Sequence, residues 1–152
     1  FGVMTVHKTK EGFNDPIFEG LDDPYYAVDS RDYQVVQPKL SVFKKHGAQI
    51  LSLEKIRDHV QYERAIMAVR FSEYAIGTQF HPEADPISFI ANLRDEKKRE
   101  RIKAMKGRRK FRNMLEDLLD DEKVYRTNET FIPNFLRTAI NHLLTHKKIQ
   151  SN

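Results

Sequence analysis

A histidine and a glutamate stand two residues apart in the stretch "GTQFHPEADP", residues 77–86, with a proline between them. In an extended segment, residues i and i+2 point to the same side, so His81 and Glu83 can project together. Pro82 fixes its own φ and removes one backbone donor, which stiffens the pair. A carboxylate beside an imidazole holds one tautomer and raises the basicity of the ring, as in the base and orienter of a nucleophilic triad. The spacing makes His81 and Glu83 candidates for catalytic residues.

Other interpretations of the same pair are open at the level of sequence. A solvated strand-to-helix turn would carry both side chains without any chemistry. A deaminase-type zinc site uses His-x-Glu but needs a downstream pair of cysteines, and the sequence contains no cysteine. An iron site with two histidines and one carboxylate would need His142 or His146, which nothing in the sequence directs towards His81. No metal site is therefore predicted.

The elements that must position the pair fall into two halves with different periodicity. The first half is strand-like, with turn residues in 10–21 and a tight turn at Ser72-Glu73. The strands are predicted at 1–6, 25–31, 33–38, 48–56, 64–72 and 74–80. After His81 the spacing is helical, and the helices are predicted at 86–107, 108–121 and from Pro133 or Asn134 onward.

Helix signals surround the predicted site. Asp85 is a suitable N-cap, Pro86 suits the first helical position, and Gly107 is a suitable stop. Strands in the first half and helices in the second predict one mixed α/β unit. The His-Pro-Glu stretch would then lie between the end of a strand and the start of a helix, where α/β proteins carry their sites.

The totals limit the class of protein. A chain of 152 residues with 39% hydrophobic and 32% charged residues is typical of one globular domain with a solvated surface. It has no run of apolar residues long enough for a transmembrane helix, and its first residues lack a signal-peptide pattern. The absence of cysteine excludes disulfides, thiolate zinc sites and a cysteine nucleophile within these residues. We expect a cytoplasmic protein and, because the sequence opens directly in a strand, a portion of a longer chain.

The charge is unevenly distributed. Residues 94–112 hold eleven Lys or Arg and three acidic residues, although the formal net charge of the whole sequence is only +4. A basic helix of this kind can bind phosphate backbones. However, Phe111 is the only aromatic residue in the segment, so stacking on bases has little support. The favoured interpretation is a solvated helix face with acid–base neighbours, and nucleic acid is not the expected partner.

Several segments resemble one known family. "AIGTQFHPEAD", residues 75–85, closely resembles the "GxQFHPE" signature of class I glutamine amidotransferases, in which the His and Glu complete a Cys-His-Glu triad. Similarity to the family continues upstream and in the same order in "DPIFEGLDDPYYAVDSRDYQVV", "HGAQILSLEKI" and "RAIMAVRFSEYAIGTQFHPE". The resemblance covers residues 1 to about 95 and is to a GMP-synthase-like glutaminase domain.

This resemblance implies a fold and an activity. The fold would be α/β and flavodoxin-like, with residues 1–95 as the carboxyl part of the domain and residues 96–152 as a helical extension packed on it. The activity would be hydrolysis of glutamine to glutamate and ammonia, with the nucleophilic cysteine outside this segment. A synthetase partner or domain would accept the ammonia. No cofactor is expected.

The sequence departs from the family at "DSRD", residues 29–32, where amidotransferases usually have "SHxD". "AVDSRD" is similar to the "APHSR" segment of homoserine O-succinyltransferase, a relative with the same fold and triad, and "HPEADPISFIANLRD" is similar to its "HPEYDxxTLAxEYxRD". This second resemblance implies that Arg94 binds a substrate carboxylate. The family resemblance also implies that Arg31 or Asp32 binds the amino-acid substrate, and Arg is suited to this because it pairs with carboxylates bidentately. The alternatives are thus a homoserine O-succinyl- or acetyltransferase-like enzyme, or a non-catalytic module of the same fold.

Overall fold

The computed structural model describes residues 2–58 and 61–150, and side chains as far as residue 145. The strands are β1 (Gly2–Lys8), β2 (Tyr25–Asp29), β3 (Gln49–Glu54), β4 (Ile66–Ser72) and β5 (Ala75–Thr78). They form a sheet in the order β2-β1-β3-β4-β5, and each of these pairings is antiparallel. The mixed α/β prediction is confirmed. The parallel sheet typical of a flavodoxin-like fold does not occur among the described pairings, so that finer assignment stays a prediction.

In the part of the chain that the structure describes, two short helices lie between strands, and four helices come after the last strand. They are α1 (Lys10–Phe13), α2 (Leu40–His46), α3 (Pro86–Asn92), α4 (Glu96–Lys106), α5 (Arg108–Leu119) and α6 (Arg126–Gln150), with a 3₁₀ turn at Pro16–Phe18 and a π-type turn at Asp121–Tyr125. Among the described residues, no helix is both long enough and apolar enough to cross a membrane.

Both faces of the sheet are covered by hydrophobic residues, and β2 shows why. Side chains of a strand alternate between faces, so Ala27 packs in one core and Val28 in the other. The first core contains Val6, Ile17, Phe18, Leu21, Tyr25, Ala27, Leu51, Ala65, Met67, Ala68, Phe80 and Phe131. The second core is formed by Val28 with residues of the helical half: Leu93, Phe111, Met114, Leu118 and Val124.

Helix α5 has the apolar face that its sequence predicts. Phe111, Met114 and Leu118 are buried and Leu115 is half-buried, at the i, i+3, i+4, i+7 spacing of an amphipathic helix. This face packs on α3, α4 and β1. The face therefore attaches the basic segment to the sheet.

The helix predicted over 86–107 is two helices. α3 begins as expected, with the Asp85 side chain accepting from the amides of Ile87 and Ser88, and with Pro86 at its first turn. It ends at residue 92, because Asp95 caps a new helix by accepting from the amides of residues 97 and 98. A second Asp cap is a start signal as strong as the first. Gly107 ends α4, as predicted.

The last helix begins earlier than predicted. α6 starts at Arg126, and Pro133 lies inside it, so the predicted start at Pro133 or Asn134 is wrong. Tertiary contacts hold the extra turns: the Thr127 hydroxyl donates to the Tyr26 carbonyl at 2.6 Å, and Phe131 is buried in the first core. These contacts offset the backbone bond that a proline inside a helix removes.

Two segments of the first half differ from the sequence prediction. Residues 33–38 do not form a strand. The stretch makes isolated hydrogen bonds instead of a ladder, such as the bond from the Ile66 amide to the Val35 carbonyl at 2.8 Å. α2 was not predicted at all, although Gly47 with φ 69° ends it in the left-handed region. The other predicted strands are confirmed to within a few residues. The β4–β5 turn was predicted at Ser72-Glu73, but β4 extends to Ser72 and the turn consists of Glu73 and Tyr74.

Candidate active site

The backbone of His81 is fixed to the sheet. After β5 the chain buries Phe80 in the first core, and the His81 amide then donates to the Val28 carbonyl at 2.8 Å. This contact is an isolated antiparallel bridge to β2, the strand at the opposite edge of the sheet from β5. The two edges of the sheet are thus joined at His81. Its side chain is therefore held just beyond a strand end, as the sequence predicts.

The His81 and Glu83 side chains meet. His81 Nδ1 lies 2.9 Å from Glu83 Oε1, with 47% of the imidazole and 65% of the carboxylate side chain exposed. A carboxylate partner favours the tautomer with its proton on Nδ1, which leaves Nε2 as the proton acceptor. Within residues 2–58 and 61–145, no hydrogen bond to Nε2 occurs. This arrangement is one in which an imidazole can act as an oriented base towards a reacting group.

Glu83 is held in its charged form. Burial raises the pKa of this carboxyl, but the hydrogen bond with His81, a bond from its own backbone amide and the charge of His81 together lower it, and the net pKa lies below its usual range. An ionised carboxylate at neutral pH stabilises a positive charge on the ring. Glu83 can therefore orient His81 and stabilise its protonated form.

The turn that carries the pair is fixed on both sides. Asn128 of α6 donates from Nδ2 to the Pro82 carbonyl at 3.1 Å, and the Ala84 amide donates to the His81 carbonyl at 3.2 Å. Asp85 then starts α3. Sequence reasoning missed Asn128, because it lies 46 residues from Pro82 and carries no local signal.

Arg31 lies in an internal cluster of charges. Its Nη2 donates to Glu54 Oε2 at 2.7 Å, its Nη1 contacts the Asp29 carboxylate, and only 13% of the side chain is exposed. Both ends of the guanidinium fork are thus paired with carboxylates of the protein itself. The geometry gives Arg31 a structural role below the site, and its predicted contact with substrate stays a prediction.

Asp29 is a buried carboxylate close to the site. It follows Val28, the bridge partner of His81, and its side chain is inaccessible. Burial raises the pKa of this carboxyl, while the charges of Arg31 and His81 act in the opposite direction. Asp29 therefore lies one residue from the backbone bridge that fixes His81.

The other two predicted binding residues lie on the surface. Asp32 is exposed in the loop after β2, and Arg94 is exposed in the turn between α3 and α4. In the described part of the chain, neither side chain takes part in an ion pair or is hydrogen-bonded to His81 or Glu83. The structure therefore brings together the two predicted catalytic residues but not the predicted binding residues.

The histidine proposed for an iron site is engaged elsewhere. His142 Nδ1 lies 3.0 Å from Glu73 Oε1, and its Nε2 is hydrogen-bonded to the Tyr74 hydroxyl. In residues 2–58 and 61–145, no three His, Asp or Glu side chains are arranged to hold a metal ion. The His146 side chain and His59 lie outside the described residues. His7 is partly exposed, 3.5 Å from Asp23, and His46 is exposed at the end of α2.

Comparison of the sequence with known proteins does not assign the chain to a family. A scan against protein-family models gave no match, and a search of curated proteins gave no similar chain. Because a fold by itself does not determine an activity, the function has to be inferred from the side chains of the site.

Proposed function

We propose that the protein is a glutaminase of the class I amidotransferase type, which hydrolyses glutamine to glutamate and ammonia. The observation that carries this proposal is the 2.9 Å contact between His81 Nδ1 and Glu83 Oε1, with the ring exposed to solvent. The similarity of "AIGTQFHPEAD" to the family signature supports the same function. The nucleophile in this proposal is a cysteine outside residues 1–152.

The chemistry proceeds through a thioester. The cysteine sulfur attacks the carboxamide carbon of glutamine, and His81 takes the thiol proton at Nε2. The tetrahedral intermediate collapses, the C–N bond breaks, and His81 returns the proton to the leaving ammonia. Water then attacks the thioester, His81 takes a proton from the water, and the proton returns to the cysteine sulfur as glutamate leaves. Glu83 keeps the ring oriented through both steps.

The proposal extends to the architecture. Residues 1–95 form the carboxyl part of a flavodoxin-like domain, and residues 96–152 form a helical extension on it. The packing of α5 on α3 and β1 supports an extension that is attached to the sheet. The ammonia passes to a synthetase partner or domain that needs a nitrogen nucleophile.

One alternative keeps the same base and orienter. In a homoserine O-acyltransferase, an acyl group on the cysteine is transferred to a hydroxyl, and Arg94 binds the carboxylate of the amino acid. The exposure of Arg94 in the turn after α3 favours this candidate, because the guanidinium is accessible to a ligand. A third possibility is a binding module of the same fold without turnover.

The experiment is a pair of assays on the full protein that contains residues 1–152. We expect glutamate and ammonia to be released from glutamine, no coenzyme A to be released from succinyl-coenzyme A with homoserine, and a glutamine-like diazoketone to label one cysteine. Release of coenzyme A without any hydrolysis of glutamine would contradict the glutaminase proposal and support the acyltransferase. Absence of both activities, with no labelled cysteine, would leave the non-catalytic module.

A further inference from the structure

An apolar groove lies between α3 and α4, away from His81 and Glu83. Its volume is about 320 Å³, and its floor is formed by Phe89, Leu93, Ile102 and Met105. Met105 is 66% exposed there, although methionine usually packs in cores and adaptable binding surfaces. Leu93 is buried in the second core, Phe89 and Ile102 are half-buried, and Met105 carries most of the exposed apolar surface. An apolar floor with such an exposed side chain is a feature of grooves that bind another molecule.

The rim of the groove is basic. Lys98, Arg101 and Lys106 line it, and the only other polar residue among its lining side chains is Asn92. All three cations belong to α4, the helix at the centre of the basic segment 94–112. A ligand on this groove therefore meets positive charge along one whole side.

The acidic residues of α4 are on a different side of the helix. Glu96 contacts Arg99, and Glu100 contacts Arg99 and Lys103, the latter at 2.8 Å. These carboxylates pair with cations that do not line the groove. The charges of α4 are thus sorted by face, with its acids neutralised and the cations of the groove left without an acidic partner among the described residues.

The spread of the rim charges indicates the shape of the ligand. Lys98 and Lys106 are eight residues apart, which is about 12 Å along a helix. One carboxylate or phosphate group cannot contact both ends, whereas a helix with a carboxylate on each turn can. We propose that the groove binds an acidic amphipathic helix of a partner protein, with its apolar side chains on the floor and its carboxylates on the rim. This inference does not depend on the glutaminase activity.

The test uses a fluorescently labelled synthetic peptide and the full protein that contains residues 1–152. The peptide has leucines at i, i+3, i+4 and i+7 and glutamates at its other positions. We expect saturable binding by fluorescence anisotropy at physiological salt. A peptide with the same leucines and lysines in place of the glutamates is expected to bind at least about tenfold more weakly, because like charges oppose it.

Variants locate the binding site. Met105→Glu places a charge on the floor, and Arg101→Glu with Lys106→Glu reverses the rim; each is expected to weaken binding at least about tenfold. Lys110→Glu is the matched control, because it changes the charge of the same segment at a residue that does not line the groove. It should leave the affinity nearly unchanged. Circular dichroism checks that each variant keeps its helices.

Other outcomes would overturn the inference. An equal loss for Lys110→Glu would mean that the peptide senses only the overall charge of residues 94–112. Tighter binding of duplex DNA or of vesicles that contain phosphatidylserine, abolished by the same rim variants, would assign the groove to one of those partners. Absence of saturable binding to all these probes would show that the groove does not bind an anionic partner.

Discussion

Two histidines contact a carboxylate at nearly the same distance, but in different surroundings. His81 lies 2.9 Å from Glu83 and His142 lies 3.0 Å from Glu73. The second ring is bonded at its other nitrogen to Tyr74, whereas the first is half exposed and has a bond only at Nδ1 among the described contacts. The contact with a carboxylate is common to both. The difference lies in the second ring nitrogen. Nε2 of His81 is available to accept a proton, whereas both nitrogens of His142 are used to join α6 to the β4–β5 turn.

The largest expected effect comes from removing each ring in turn. If the proposed glutaminase activity holds, His81→Ala should lower the rate of ammonia release from glutamine by about 10²–10⁴-fold, because it removes the proposed general base. His142→Ala should leave that rate within about twofold, since it removes a histidine–carboxylate contact of similar geometry at a ring with no open nitrogen. The measurement is kcat of the full protein for both variants. Equal losses, or full activity of His81→Ala, would remove the distinction between the two rings.

The next effect is on stability, at Arg31. Like the two ring nitrogens of His142, the terminal nitrogens of its guanidinium are both paired within the protein. Arg31→Ala should lower the free energy of unfolding by about 3–5 kcal/mol, because the buried carboxylate of Asp29 loses its cation. Glu54 loses the same cation but keeps its pair with Arg57. The measurement is urea-induced unfolding.

Arg112→Ala is the control: its pair with Glu116 is exposed on both sides, and such pairs contribute less than about 1 kcal/mol. Normal stability of Arg31→Ala with a raised KM for glutamine would assign Arg31 to the substrate instead.

The smallest of the expected losses is at the orienting carboxylate. Glu83→Gln keeps an oxygen beside Nδ1 but removes its charge, and hydrogen bonds to charged groups contribute about 1.5–3 kcal/mol. We expect turnover to fall about ten- to a hundredfold, less than in His81→Ala. A greater loss than in His81→Ala would mean that the roles of the two residues are reversed.

The same variant has a defined dependence of stability on pH. The pKa of Glu83 is lower in the folded protein than its usual value, so its charged form contributes stability above the ordinary carboxyl pKa of about 4.3. That contribution is lost as the pH falls through the lower folded pKa. The difference in Tm between the wild type and Glu83→Gln should therefore be constant near neutral pH and disappear in acid. A difference that grows on acidification would contradict the lowered pKa.

Local signals were sufficient for part of the molecule. The contact of His81 with Glu83 was predicted from period-2 geometry of an extended segment. In the structure Pro82 and Glu83 form a turn closed by the Ala84 amide on the His81 carbonyl, so the two side chains meet by a different local geometry.

The strands were predictable from their alternating hydrophobic residues. The apolar face of α5 was predictable from the helical spacing of its hydrophobic residues. Asp95 and Gly47 carried local signals that were available but not used, and they mark the start of α4 and the end of α2.

Long-range contacts account for what the sequence did not show. The bond from Asn128 to Pro82 and the contacts of His142 with the β4–β5 turn join residues far apart in the chain, and spacing rules do not apply to such pairs. Arg31 has the residue type of a substrate ligand, but its pairing with Glu54 depends on how β2 and β3 are placed in the sheet. A side chain's type therefore predicted its chemistry, while the fold decided its partners.

The bridge between His81 and Val28 also affects how the protein behaves at the edge of its sheet. An edge strand with unpaired backbone groups is a site where another chain can add and start aggregation. At Val28 the carbonyl on the open side of β2 is already occupied by the His81 amide. Because this bond uses only backbone atoms, replacing the imidazole leaves it in place. The residue proposed to carry the proton thus also occupies one hydrogen-bonding position of the sheet edge, through a part of itself that takes no part in the reaction.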